Sequence, residues 1–216
     1  MNKANVISRI SEIGIVPVIR ADSDDEARQL IEAIWAGGIS IFEVTTTVPD
    51  AVSLIETLAA DFGSEVIIGA GTVLDVGTTR SCLSAGAKFI VSPILDLDVV
   101  ETCRKADIAV FPGALTPTEI VMAWNAGADA VKIFPAYAVG GANYIKAIKA
   151  PLPEVELIPT GGITLLTIGD YIRAGAIAVG VGGELADVRA LRAGQREKIT
   201  DAACAFVKAV HDARSL

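Results

Sequence analysis

The stretch Ala126-Gly127-Ala128-Asp129-Ala130-Val131-Lys132-Ile133-Phe134-Pro135 decides how the rest of the chain is read. It leaves a helix-like segment through an Ala-Gly step, continues as an apolar, β-favouring run and stops at a proline. The same layout occurs three more times. Ala36-Gly37 precedes residues 39–44, Ala85-Gly86 precedes residues 89–93, and Ala174-Gly175 precedes residues 177–182. Glycine just past a helix end takes the left-handed conformation that closes the helix. Four more apolar runs lie between these, at residues 15–20, 65–71, 108–113 and 155–162, each followed by a helical pattern of its own. The repeating unit is therefore strand–helix–strand–helix, four times over. Short, continuously apolar strands alternating with helices imply a parallel sheet covered by helices. The expected fold is α/β: one domain over residues 1–216, closed as a (β/α)8 TIM barrel, with a short N-terminal helix. An open, doubly wound sheet is the alternative.

The composition narrows the function classes. With 216 residues, 52% of them hydrophobic and 20% charged, the chain suits one soluble domain with a full core. A net charge of −8 with no basic block argues against nucleic acid and anionic membrane as partners. No run has transmembrane length, and the start of the chain lacks a signal-peptide layout. Cys82, Cys103 and Cys204 are odd in number and never in CxxC spacing. That usage fits a reducing, cytoplasmic setting without disulfides or a zinc site. The single histidine, His211, lies on an expected terminal helix as a solvated residue. No His-based triad and no multi-histidine metal site can be assembled, so acid–base work falls to carboxylates, lysine, tyrosine or water.

Several helix starts are legible. Residues 3–14 carry Val6, Ile7, Ile10 and Ile13 at helical spacing. Asp22, Ser23 and Asp24 offer N-caps for the next helix. Pro49 is expected in the first turn of the helix after it, and Thr116-Pro117-Thr118-Glu119 resembles a capping box with proline at the first helical position. Residues 187–194 read as a polar connection to the last helix.

Lys132 is the residue that bears on chemistry. On a strand Ala130, Lys132 and Phe134 share one face. Burial there disfavours the charged form of an amine, and a free amine attacks a ketone or aldehyde to form an imine. A lysine that snorkels to the surface, or sits in an interior ion pair, remains an alternative reading of this local pattern. Glu43 lies within another apolar strand, with Ile41 and Thr45 on its face. In a barrel, catalytic groups gather at the C-terminal strand ends and alternate strands share layers. Glu43 on the second strand and Lys132 on the sixth can thus point into one layer, as a site or as a structural ion pair. An amine and a carboxylate, without metal or histidine, suit a lysine-type aldolase. No cofactor is expected: Gly69-Ala-Gly71 starts like a dinucleotide fingerprint, but Leu74 stands where its third glycine belongs. Gly161-Gly162 and Gly182-Gly183 follow the seventh and eighth strands, where barrels often bind phosphate through backbone N–H groups. Glu184 opposes a phosphate there unless it turns away.

Taken together, these motifs resemble the family of 2-keto-3-deoxy-6-phosphogluconate aldolases and 4-hydroxy-2-oxoglutarate aldolases over nearly the whole chain. Gly127, Val131-Lys132-Ile133-Phe134-Pro135-Ala136 and Gly140 match its Schiff-base signature. Residues 38–45, Gly38 to Thr45 around Glu43, match its glutamate signature. Gly69-Ala-Gly-Thr72-Val, Ser92-Pro93 and Pro159-Thr160-Gly161-Gly162 match further motifs. The resemblance implies Lys132 as the imine-forming lysine and Glu43 as general acid/base. It implies Thr72, Pro93 and Phe134 around the pyruvyl group, Thr160 within the site, and a homotrimer. It also implies cleavage of a phosphorylated 2-keto acid to pyruvate and glyceraldehyde 3-phosphate, with 4-hydroxy-2-oxoglutarate as a second substrate. The galactonate-derived epimer and a non-catalytic metabolite-binding barrel are the alternatives.

Two positions depart from the family pattern. Relatives of the best-known branch carry a carboxylate-binding arginine where this chain has Thr47. Arg20, on the neighbouring first strand, is expected to take over, because a guanidinium grips a carboxylate through two parallel bonds. Gly183 stands where many relatives use a serine for phosphate; its N–H remains and the hydroxyl does not.

Overall fold

Strands and helices alternate almost from one end of the chain to the other in the computed structural model, which describes residues 1–215. In chain order they are α1 (Lys3–Ile13), β1 (Ile15–Ile19), α2 (Asp24–Ala36), β2 (Ile41–Thr45), α3 (Ala51–Phe62), β3 (Ile67–Gly71) and α4 (Val76–Ser84). There follow β4 (Phe89–Val91), α5 (Leu97–Lys105), β5 (Ala109–Phe111), β6 (Gly113–Ala114), α6 (Pro117–Asn125), β7 (Val131–Ile133) and a 3-10 turn (Ala136–Val139). The chain continues through α7 (Ala142–Lys149), β8 (Leu157–Pro159), α8 (Ile168–Arg173), β9 (Val179–Val181), α9 (Val188–Arg192) and α10 (Arg196–Arg214). No helix among the described residues is long and apolar enough to cross a membrane.

Every registered strand pair is parallel. The expectation of eight strands in one closed sheet needs correction. Among the described residues there are nine strands in two curled sheets, one ordered β5-β4-β3-β2-β1-β9 and the other β6-β7-β8. The extra strand arises at Pro112, which has no N–H for a ladder and divides the expected fifth strand. Before it, β5 pairs with β4; after it, β6 pairs with β7. The Pro112 carbonyl still accepts the Lys132 N–H at 2.9 Å. At the opposite edges the sheets meet through a single bridge between Thr160 and Gly180. The expected sixth strand, bearing Lys132, is therefore β7.

Side-chain parity sorts the core into two layers. The outward residues of the strands, among them Ile19, Phe42, Val44, Ile68, Val131 and Ile133, pack under the helices in the larger cluster. Inward residues form the smaller one: Val16, Ile41, Ile67, Phe89, Phe111, Ala130 and Ile158, floored by Val6 and Ile10 of α1. The leading helix thus plugs the N-terminal end of the strands with its apolar stripe. Removing apolar surface from water at roughly 25 cal/mol per Å² makes these two layers the main support of the fold.

Local signals held in most places. Asn2 and Ser23 cap α1 and α2 through their side chains. Thr116 and Glu119 form a reciprocal capping box with Pro117 at N1. Two details differ. Pro49 precedes α3 rather than entering it, because Asp50 takes a left-handed N-cap conformation (φ 50°) and the helix begins at Ala51. The first Ala-Gly step closes its helix one residue late: Gly37 has φ −86° and Gly38 takes the left-handed turn at 97°. A methyl group on Gly37 would collide with Ala203 of α10, so close packing claims that glycine. The polar connection before the last helix contains α9, with Asp187 as its cap.

Candidate active site

Lys132 sits at the centre of β7 and Glu43 at the centre of β2. Both side chains point inward above the apolar floor, because each follows an inward apolar residue by two positions: Ala130 before Lys132, Ile41 before Glu43. Their Nζ and Oε1 atoms are 3.5 Å apart, with 4% and 3% of the side chains exposed. The Glu43 Oε1 atom is buried and has no hydrogen-bond partner among the described residues. A buried carboxylate oxygen left in this state is costly unless something occupies the space beside it. Lys132 Nζ lies 5.4 Å from the centroid of the Phe134 ring, within cation–π range.

Gly71 explains how Glu43 fits. It faces Thr45 in the β2–β3 ladder, and a methyl group there would run into the Glu43 carboxylate and its Cγ. Of the Gly69-Ala-Gly71 motif, Gly71 thus makes room for the acid, while Gly69 makes room for the Phe89 ring.

Lys132 opens on a cavity of about 290 Å³ between the C-terminal ends of the strands. Of the residues expected in the site, Arg20, Phe134, Thr160, Gly161, Gly162, Gly182 and Gly183 share its wall. Val18, Ile163, Thr164 and Gly180, which the sequence reading missed, complete it together with Glu184. Gly180 carried a signal: a methyl group there would strike the Thr160 side chain, whose residue forms the bridge joining the two sheets. Among the described residues the N–H groups of Gly161, Gly162, Gly182 and Gly183 make no hydrogen bond. Four free backbone donors at one end of a cavity suit an anion. Glu184 is exposed at the same end.

Arg20 follows the end of β1 and reaches toward the β2 and β3 ends. Its guanidinium donates to Thr47 Oγ1 at 3.4 Å and to Thr72 Oγ1 at 3.5 Å, both long contacts to neutral hydroxyls. The Thr47 hydroxyl lies 2.7 Å from that of Thr45, which donates to the Ile19 carbonyl at 2.9 Å. Thr45 is a further residue that sequence reading left out of the site. Thr72 has φ 59°, a left-handed conformation that is strained for a β-branched residue. Its carbonyl accepts a hydrogen bond from the Thr46 hydroxyl at 2.8 Å, which helps hold that conformation.

Two expected residues lie elsewhere. Thr72 lines a larger hollow of about 700 Å³ with Val48, Val52, Leu74, Asp75 and Thr78, and reaches the lysine cavity only through Arg20. Pro93 is outside that cavity, packed against Gly113, where a methyl group would strike its backbone. The larger hollow lacks the buried lysine, and Glu43, though 3.5 Å from Lys132, is in the wall of neither cavity. Size therefore does not pick out the buried lysine. Among the described residues no three His, Cys, Asp or Glu side chains gather in a metal-binding group. Burial pushes the Cys82 thiol up to about 11 and the Cys103 thiol up to about 12, which keeps both inert.

Similarity to known proteins agrees with this geometry. Residues 6–202 match the aldolase family described as KDPG and KHG aldolase. The 2-dehydro-3-deoxy-phosphogluconate aldolase of Haemophilus influenzae is 36% identical over 170 residues, covering 77% of this chain and 78% of that protein. The 2-dehydro-3-deoxy-6-phosphogalactonate aldolase of Escherichia coli is 33% identical over 205 residues, covering 94% and 97%. Among solved structures, the KDPG aldolase of Legionella pneumophila, with pyruvate captured at low pH as a covalent carbinolamine intermediate, superposes with a TM-score of 0.86. It shares 31% identity and covers 93% of this chain and 97% of its own. A buried amine 3.5 Å from a buried carboxylate, on this arrangement of parallel strands and in a chain with these relatives, leads to one statement: the chain belongs to the KDPG and KHG aldolase family.

Proposed function

We propose that this chain is a class I aldolase that cleaves 2-dehydro-3-deoxy-6-phosphogluconate to pyruvate and glyceraldehyde 3-phosphate, and 4-hydroxy-2-oxoglutarate to pyruvate and glyoxylate. The observation that carries the reading is the 3.5 Å approach of Lys132 Nζ to Glu43 Oε1, an oxygen with no partner of its own. In this reading the Lys132 amine adds to the C2 carbonyl, and the carbinolamine loses water to give a protonated imine. Glu43 takes the proton of the C4 hydroxyl as the C3–C4 bond breaks. The bond's electron pair flows into the imine, leaving an enamine and releasing the aldehyde. Protonation at C3 and hydrolysis of the imine then yield pyruvate and free Lys132. The Legionella relative held with pyruvate as a carbinolamine supports the first step.

Arg20 binds the substrate carboxylate in place of an arginine at Thr47, with Phe134 beside the pyruvyl group and Thr72 acting through its contact with Arg20. Pro93 borders that region from outside the cavity. Thr160 contacts substrate, and the free N–H groups of Gly161, Gly162, Gly182 and Gly183 take the phosphate, which keeps away from Glu184. The two sheets act as one (β/α)8 barrel in a single domain, supported by the Thr160–Gly180 bridge and by the shared β5–β6 segment. The enzyme works as a cytoplasmic homotrimer without a cofactor; sedimentation at three times the chain mass tests the assembly. A galactonate-derived substrate is the second reading, favoured by the coverage of the phosphogalactonate aldolase.

Borohydride reduction in the presence of pyruvate tests the proposal. A covalent adduct mapped to Lys132 is expected, and its absence overturns the reading. A substrate panel followed by pyruvate release then separates the gluconate epimer from the galactonate epimer.

A further inference from the structure

Arg192 lies on α9, outside the cavity, and two of its three guanidinium nitrogens hold carboxylates. Its Nε donates to Glu26 Oε1 at 2.6 Å, and one terminal nitrogen donates to Glu26 Oε2 at 2.9 Å and to Asp22 Oδ2 at 2.5 Å. The Asp22 N–H adds a bond to Glu26 Oε2 at 3.2 Å. Arg192 beside Glu26 holds its carboxyl below the ordinary carboxylate value. These two acids follow Arg20 by only two and six residues. Among the described residues Arg20 itself donates only to neutral hydroxyls, through long contacts. In a chain of net charge −8, an arginine meant for a substrate carboxylate must be kept from nearby carboxylates of its own protein.

We infer that Arg192 is a positioning residue for the pyruvyl carboxylate: it occupies Asp22 and Glu26, and so leaves the Arg20 guanidinium free to bind substrate. The inference rests on the carboxylate role proposed above for Arg20. Without Arg192, Asp22 and Glu26 compete for Arg20 and repel the incoming anion. The competition is between exposed charges, so it weakens as salt screens it.

The test measures the pyruvate concentration that half-saturates borohydride trapping, in the full chain, at low and at high salt. For Arg192→Gln this concentration rises roughly threefold at low salt, less at high salt, as expected for exposed charges. Adding Asp22→Asn and Glu26→Gln brings it back toward the starting value, because the competing charges are gone. On an Arg20→Ala background, Arg192→Gln has no further effect. Arg196→Gln removes a comparable exposed pair, that with Glu32 at 3.1 Å, and leaves the concentration unchanged. An unchanged value for Arg192→Gln, or a rise that the two acid substitutions do not relieve, overturns the inference. If Arg20→Ala alone has no effect, the carboxylate role of Arg20 fails, and the inference with it. If Arg20→Ala raises the value and Arg192→Gln does not, only the inference falls.

Discussion

Two lysine–carboxylate pairs lie away from the surface among the described residues, and they are built in opposite ways. Lys3 and Asp129 meet at 2.8 Å near the N-terminal ends of the strands, with 21% and 12% of their side chains exposed. Asp129 also accepts the Val110 N–H at 3.0 Å, while its own N–H donates to the Val110 carbonyl at 3.1 Å. That pair ties α1 to the loop before β7 and has little left to offer. Lys132 and Glu43 are more deeply buried, farther apart at 3.5 Å, and leave one carboxylate oxygen without a partner. A pair that served stability alone would close its contact and satisfy its lone pairs, as Asp129 does. Unmet hydrogen-bonding capacity in a dry setting is better suited to a proton that arrives with a ligand.

The difference is open to direct attack. The largest effect is expected from Lys132→Ala, which removes the nucleophile: pyruvate release falls roughly 10⁴-fold or more, and no trapped adduct forms. Glu43→Gln keeps the amine, so trapping with pyruvate persists while cleavage slows roughly 10²- to 10⁴-fold. Steady-state assays of both variants, beside Asp129→Ala with near-normal kcat, would establish the contrast; a large activity loss in Asp129→Ala would erase it.

A second test acts on the acid's geometry. Gly71→Ala forces the Glu43 carboxylate aside, and a displacement of that size costs about 100-fold in kcat without unfolding the protein. Circular dichroism and turnover measured together would show it.

Stability provides a third comparison. Asp129→Ala strands Lys3 and the Val110 N–H, costing about 1–3 kcal/mol in urea unfolding. The double change Lys132→Met/Glu43→Gln removes an ill-satisfied buried pair, and its unfolding midpoint is expected at or above that of the unaltered protein. A fall in that midpoint matching the Asp129 loss would make the Lys132 pair structural after all. The smallest effect concerns the cysteines. At pH 8 the raised Cys82 and Cys103 thiols stay protonated and buried, so a thiol reagent labels only the exposed Cys204 until the chain is denatured.

Much of this was legible before any coordinates. Alternation along residues 126–135 placed Lys132 with Ala130 and Phe134, and the inner cluster holds Ala130 below Lys132 as that pattern requires. The capping box at Thr116 was equally plain, because its two hydrogen bonds link residues only three apart. Other features escaped. The break at Pro112 depends on which neighbour each half of the segment pairs with, which no local pattern encodes. Thr72 was expected beside the pyruvyl group, yet it lines another hollow and reaches the site through Arg20.

Residue types and their spacing alone determined the alternating α/β architecture and the inward faces of β2 and β7, with a carboxylate on one and an amine on the other. Periodicity and local hydrogen bonding act within a few residues, and those suffice for such features. Only the tertiary structure decided that Nζ and Oε1 meet at 3.5 Å, that Gly71 makes room for the carboxylate, and that Arg192 engages two acids more than 160 positions earlier in the chain. Each of these depends on how curled sheets bring distant segments together. Close packing of the interior, rather than local propensity, sets those distances.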